Sequence, residues 1–264
     1  MRAVPATPTL ISLHVSPWSE RARWALDHHG IAYRIVEHSP GLGERRLRRL
    51  VGRARPKATV PVLLAGTELL TESWDIAAYA DRTGRGSKLI TREQAAEIRT
   101  WAERADDALQ SVRALILAAT IASPDALDEA MPRLVPTVAR PLLRPVARNV
   151  TRALADKYAV RFDATETHER VIRAALDAVR AELGGRAHLL EGFTYADIAV
   201  ASILQGISPV HDRFLRIGPA TRSAWTHHAL AGEYRDLVTW RDTLYEARRP
   251  ARTAHAQGPL PPGR

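Results

Sequence analysis

Strand signals fall only within the first third of this chain, and their order there restricts the fold more than any other feature. Leu10-Ile11-Ser12-Leu13-His14-Val15 reads as a short buried strand ended by Ser16-Pro17. Ser19 offers an N-cap and Glu20 a favourable first-turn charge for a helix whose apolar positions are Ala22, Trp24, Ala25 and Leu26, stopped at Gly30. Ile31 to Val36 reads as a second strand, so one helix joins two strands and a parallel pair is expected. A short helix over Glu44 to Val51 follows. Val60 to Leu64 and Glu68 to Leu70, separated by Ala65-Gly66-Thr67, then read as an antiparallel hairpin. Ser73 can cap a helix through Ile76, Ala77 and Tyr79 to Thr83-Gly84.

The order β-α-β, helix, β-β-α within the first 85 or so residues is a thioredoxin-like topology. After Thr91 only helical periodicity remains. It runs over Thr91 to Thr120, Val146 to Tyr158, Thr165 to Leu183, Thr194 to Leu204 and Tyr234 to Glu246. Five prolines between Pro124 and Pro145 argue against a straight helix there. The expected organisation is a thioredoxin-like α/β domain over 8–84, a linker over 85–90 that opens with Arg85-Gly86-Ser87 directly after Gly84, and an all-α domain over 91–250. The Pro/Gly-rich end, 251–264, is expected to be disordered.

The absence of cysteine excludes structural disulfides, thiolate metal sites and a cysteine nucleophile. Met1 to Thr9 lack an apolar signal core, and no run of about twenty apolar residues occurs, so a cytoplasmic protein is expected. The net charge of +9 is concentrated in arginine. Arg45, Arg46, Arg48, Arg49, Arg53, Arg55 and Lys57 crowd one segment. Arg140, Arg144, Arg148 and Arg152 recur every fourth residue and would line one helical face. A solvated basic face is the plain reading of that stripe. Contact of the stripe and its neighbouring Leu134, Val138, Leu142, Leu143 and Val146 with a membrane surface or a partner is the functional one.

Ser16-Pro17-Trp18-Ser19 lies at the strand–helix junction, in the layout of a Cys-x-x-Cys turn with both sulfurs replaced by oxygen. Unpaired N–H groups and positive dipole gather at a helix N-terminus, so a hydroxyl there can help hold an anion. Such a turn cannot exchange disulfides, but it can stabilise a thiolate carried by another molecule.

Together with Arg21 and Ala25-Leu26, this turn resembles part of the cytosolic glutathione transferase superfamily. Val60-Pro61-Val62-Leu63 and Glu72-Ser73 with Ile76 and Tyr79 extend the likeness, as do Thr194-Tyr195-Ala196-Asp197-Ile198-Ala199 and Trp240-Arg241. The resemblance runs to about Pro250. It implies the glutathione transferase fold, glutathione as co-substrate and a hydrophobic small-molecule electrophile in a pocket of the helical domain. A homodimer, a detoxifying transferase activity and no metal are implied as well. By similarity to serine-type members, Ser16 is the catalytic donor to the glutathione sulfur. Val60 and Pro61 resemble the cis-proline turn that pairs with the cysteinyl backbone. Glu72 and Ser73 resemble the γ-glutamyl site. The usual Gly-Lys before Val-Pro is here Ala58-Thr59, which leaves Lys57, Arg53 and Arg55 as alternatives for the glycyl carboxylate. Ser19, Trp18, Arg21 and Arg53 are secondary candidates, with helix capping the plainer role of Ser19.

Other classes find little support. No Gly-x-Ser-x-Gly elbow is present. His28-His29 and His227-His228 are adjacent, which splits each pair across its helix. Nucleic-acid binding has charge in its favour but no recognised module. The rivals that survive share the fold: a glutathione-dependent isomerase, or a non-catalytic glutathione-binding or interaction protein.

Overall fold

A computed structural model describes residues 7–41, 43–52, 57–132 and 134–250. Four strands, β1 (Thr9–Ser12), β2 (Arg34–Glu37), β3 (Val62–Ala65) and β4 (Glu68–Leu70), form one sheet in the order β2-β1-β3-β4. β1 and β2 are parallel, as a βαβ connection through α1 (Pro17–His28) requires, whereas β3 is antiparallel to both β1 and β4. Helices α2 (Glu44–Val51) and α3 (Ser73–Thr83) complete this α/β unit. β1 and β2 are shorter than their apolar runs in sequence, because Leu13 to Val15 and Ile31 to Tyr33 lie outside the strands, whereas β4 matches its run.

The remainder is helical: α4 (Ala95–Ala122), α5 (Pro124–Ala130), α6 (Arg140–Lys157), α7 (Thr165–Leu183), α8 (Tyr195–Leu204), α9 (Pro219–Trp225), α10 (His228–Glu233) and α11 (Arg235–Arg248). α8 is buried along its whole length. The Thr194–Asp197 capping box opens it: Asp197 Oδ2 accepts from Thr194 N at 2.8 Å, and Oδ1 accepts from Leu189 N at 2.9 Å. Burial raises the Asp197 pKa, against these amide donors that favour its charged form. α7 ends at Gly184, whose φ of 51° is the left-handed turn that glycine tolerates best.

Several local expectations are corrected. Ser16, not Ser19, caps α1: the Ser16 side chain accepts from Ser19 N, and Pro17 starts the helix, where a missing N–H costs nothing. Ser73 is the first helical residue of α3, and Glu72 holds the cap position. α6 begins at Arg140 and runs through Pro145, six residues before the sequence pattern starts it. Pro141 sits in its first turn, so only Pro145 removes a helical hydrogen bond. The short α9 and α10 offer too few turns to show periodicity and were not expected. The arginine stripe also faces differently from a solvated surface. Arg140, Arg144 and Arg148 are half-buried, and Arg144 pairs with Asp128 at 2.7 Å, while Leu142 and Val146 stand exposed. The expected disordered end lies outside the described residues.

The α/β unit and the helices share one core containing Leu10, Trp24, Leu63 and Ile76 with Ile98, Leu109, Ile198 and Leu237. At the close of α11, Arg249 is buried against α1, contacting Glu20 at 2.8 Å and Asp27 at 2.6 Å. Arg23 reaches Glu20 as well, at 3.0 Å. Burial works to raise the Glu20 pKa, but Arg249 and Arg23 outweigh it and hold the carboxyl below its ordinary value of 4.5. Truncating Arg249 would leave two buried carboxylates short of their partner. Arg249→Ala is therefore expected to cost about 3–5 kcal/mol in a urea unfolding titration. Because the folded Glu20 pKa is depressed, its stabilisation is present above about pH 4.5 and lost as pH falls through the folded value. Glu20→Gln should accordingly flatten the acid side of the stability profile.

Candidate functional site

Strand register alone gathers three loops at one end of the sheet. Ile11 pairs with Val62, so the end of β1 leading to Ser16 lies beside Val60-Pro61, just before β3. Leu63 pairs with Leu70, so the exit of β4 into Thr71-Glu72-Ser73 falls at that same end. The helix N-termini of α1 and α3 therefore open where the cis Val60–Pro61 peptide turns.

At the first of these, Ser16 N donates to Leu13 O at 3.0 Å and Ser16 O accepts from Glu20 N at 2.9 Å. Its Oγ accepts a long bond of 3.4 Å from Ser19 N. The hydroxyl proton has no acceptor among the described residues. Ser16 is half-buried and sits at the positive end of a twelve-residue helix, so this donor can meet an incoming anion. Ser19 has a different task. Fully buried, its Oγ accepts from Leu13 N at 3.1 Å and fastens the turn to the helix. A narrow crevice beside Ser16 is lined by His14, Val15, Pro17, Phe214 and Leu215, and His14 Nε2 lies 2.9 Å from Arg216 O.

At the third loop, Ser73 is 5% exposed and its Oγ accepts from the Tyr195 hydroxyl at 2.9 Å, which leaves the serine proton to donate. Glu72 is exposed beside it. In sequence Tyr195 stands only as one residue of the Thr194-to-Ala199 stretch that opens α8. Its long-range role has no local signature, since it reaches Ser73 across 122 positions. Burial raises its pKa, which keeps it a neutral donor.

Lys57 is exposed near the second loop, and Arg53 and Arg55 lie outside the described residues. A cation that sequence reasoning missed stands there instead: Lys157, at the end of α6, donates to Ala58 O at 2.8 Å and pairs with Glu44 at 2.9 Å. His38, buried by the same Glu44 at 3.4 Å, has its pKa lowered by burial against the pull of that carboxylate.

Trp18 and Arg21 point away from the three loops, into the helical half. Arg21, 1% exposed, donates to Asp106 Oδ1 at 2.6 Å, to Ser202 Oγ at 2.9 Å and to Ala199 O at 3.0 Å. Trp18 Nε1 donates to the same Asp106 oxygen at 2.8 Å. The Arg113 guanidinium lies over the Trp18 ring at 4.4 Å and over Tyr158 at 3.7 Å, and burial lowers its pKa. These contacts fix the helix that carries Ser16 relative to α4 and α8. Trp240 and Arg241 are structural in the same sense, donating to Ala187 O at 2.9 Å and Ser208 O at 2.6 Å. No group of three or more metal-ligating side chains occurs among the described residues.

Residues 15–83 match the family model for the glutathione S-transferase N-terminal domain. No curated protein matches the chain. Among solved structures, a glutathione S-transferase from Methylobacillus flagellatus with glutathione bound is 18% identical, with 92% of this chain and 96% of that one covered at a TM-score of 0.56. The glutathione transferase GSTFuA3 from Phanerochaete chrysosporium is 14% identical, covering 95% and 100% at a TM-score of 0.64. Glutaredoxin 2 from Salmonella typhimurium, in complex with glutathione, is 18% identical over 87% and 95% with a TM-score of 0.52. The chain thus has the fold of these glutathione transferases over nearly its whole length, and residues 15–83 are similar to the glutathione S-transferase N-terminal domain.

Arg21 is the strut that this geometry makes testable. Arg21→Lys keeps the charge but cannot reach three acceptors from one planar fork. It is expected to lose about 2 kcal/mol of stability in a urea titration, whereas Trp18→Phe, which forfeits one bond to a half-exposed carboxylate, should lose about 1 kcal/mol.

Proposed function

We propose that the chain is a glutathione transferase-like enzyme in which Ser16 stabilises the glutathione thiolate for attack on a hydrophobic electrophile. The observation that carries this reading is the unspent hydroxyl proton of Ser16 at the N-terminus of α1, in register with Val60-Pro61 and Glu72-Ser73. In this reading the thiol loses its proton to solvent. The sulfur lone pair forms a carbon–sulfur bond, and the electrons of the broken bond leave with a departing group or move onto an adjacent electron-poor atom. Val60 offers backbone groups to the cysteinyl unit. Ser73, oriented by Tyr195, and the α3 N-terminus take the γ-glutamyl carboxylate, with exposed Glu72 facing its ammonium. Exposed Lys57 offers a cation for the glycyl carboxylate. Dimerisation and a cytoplasmic setting belong to the same proposal, and the dimer is tested by light scattering.

The energetics are in reach. A free thiol has a pKa of about 8.5, and lowering it by about two units needs roughly 2.7 kcal/mol of preferential anion binding. A charge-assisted hydroxyl bond contributes about 1.5–3 kcal/mol and a helix N-terminus about 0.3–1 kcal/mol more.

Calorimetric titration with glutathione separates binding from catalysis. Wild type and Ser16→Ala should bind with affinities within about threefold, while the conjugation rate with a reactive aryl halide falls roughly 30-fold or more in Ser16→Ala. No heat of binding at millimolar glutathione would remove the ligand itself. Equal rates in the two proteins would remove Ser16 from the chemistry. Tyr195→Phe, which takes a donor from Ser73 without changing volume, should weaken glutathione binding roughly fivefold, leaving the rate at saturation unchanged.

A further inference from the structure

We propose that the outward face of α6 and the segment leading into it dock on the surface of an anionic phospholipid bilayer. Leu134, Val138 and Leu142 are 94%, 89% and 83% exposed, and Val146 and Val150 continue the same every-fourth-residue row. Most of the exposed large aliphatic side chains among the described residues belong to this one stretch. Isolated apolar residues on a surface are ordinary, but Leu142, Val146 and Val150 aligned on an eighteen-residue helix, with Leu134 and Val138 exposed in the segment before it, make a face with something to cover.

Charge selects the occupant. From Met131 to Ala155 the chain carries five arginines and no acid. Arg144 is neutralised by Asp128 and Asp125. Arg148 and Arg152 have no hydrogen bond or ion pair among the described residues; two residues out of step with the apolar row, Arg148 is half-buried and Arg152 stands exposed at the edge of the outward face. Beside it stands α2, held to α6 by Lys157 and Glu44 and approached by Val150 at Gly41. The buried face of α2 is Leu47 and Val51, so Arg45, Arg46, Arg48 and Arg49 lie exposed on its other side. An aliphatic row rimmed by arginines is the composition of a helix that lies in a lipid headgroup layer. Each basic side chain near an anionic leaflet adds about 1 kcal/mol. A second copy fits less well, because a two-fold interface sets a patch against itself and would bring these arginines together with no acid between them. Nucleic acid fits less well too, since the row has no aromatic residue on which bases could stack. No described helix is long and apolar enough to cross a membrane, so the contact is peripheral.

The test is cosedimentation of the whole protein with vesicles, either phosphatidylcholine alone or phosphatidylcholine mixed with phosphatidylglycerol. Binding is expected to the mixed vesicles and not to phosphatidylcholine, and to weaken as salt is raised. Leu142→Glu with Val146→Glu should lower the partition coefficient roughly tenfold or more. Arg148→Gln with Arg152→Gln should lower it roughly 30-fold. All four side chains are at least half in solvent or unpaired, and thermal melts matching wild type will show that the variants fold. Failure of wild type to sediment with the mixed vesicles overturns the proposal, as does equal binding to both compositions or indifference to both double substitutions. A wild-type dimer that Leu142→Glu with Val146→Glu converts to monomer, without vesicle binding, overturns it in favour of a second copy.

Discussion

The buried side of α1 carries charge, and the relation between the two halves of the molecule depends on how that charge is matched. Arg21 enters the helical half and finds Asp106 at 2.6 Å, a serine hydroxyl and a carbonyl. Glu20 and Asp27 in turn receive Arg249 from the end of α11. A guanidinium taken from water without acceptors would be strongly unfavourable, so these pairings admit few alternative placements of the helices. The consequence at the site is positional. Ser16 stands one residue before α1 begins, so whatever fixes α1 fixes the hydroxyl. Ser19 then secures the turn locally by accepting from Leu13 N.

The same economy appears at α3. Its N-terminus is positioned by the β3–β4 register, and its first side chain, Ser73, is held by Tyr195 of α8. α8 is itself set by a buried capping box. The three loops at the end of the sheet thus lean on the helical half through Arg21, Tyr195 and Lys157. A thioredoxin-like unit that lost those partners would keep its strands but not the spacing of its loops.

Much of this was legible in sequence, for identifiable reasons. Short apolar runs with Gly or Pro near their ends gave the strands and their order. The ranges of α7 and α8 were legible because their ends, at Gly184 and at the Thr194–Asp197 pair, are set by caps, which are local chemistry. Ser19 was misread as a cap because Pro17 can itself open a helix, which moves the cap to Ser16. α6 was started late because its prolines look prohibitive, although a proline in the first turn is harmless. Tyr195 on Ser73 and Lys157 on Ala58 O were invisible: both join residues about a hundred positions apart, and no local pattern encodes such a pairing. The half-buried arginines of α6 were likewise beyond periodicity, which finds a face but does not say which way it turns.

The central claim is that the Ser16 proton, unspent within the described protein, is given to a thiolate. Ultraviolet absorbance of bound glutathione, followed as pH is varied, reads that directly. The account predicts that the bound thiol ionises about two pH units below the free thiol in wild type, and that Ser16→Ala returns most of that shift while glutathione remains bound. An unshifted thiol in wild type, or an identical shift in Ser16→Ala, would contradict it.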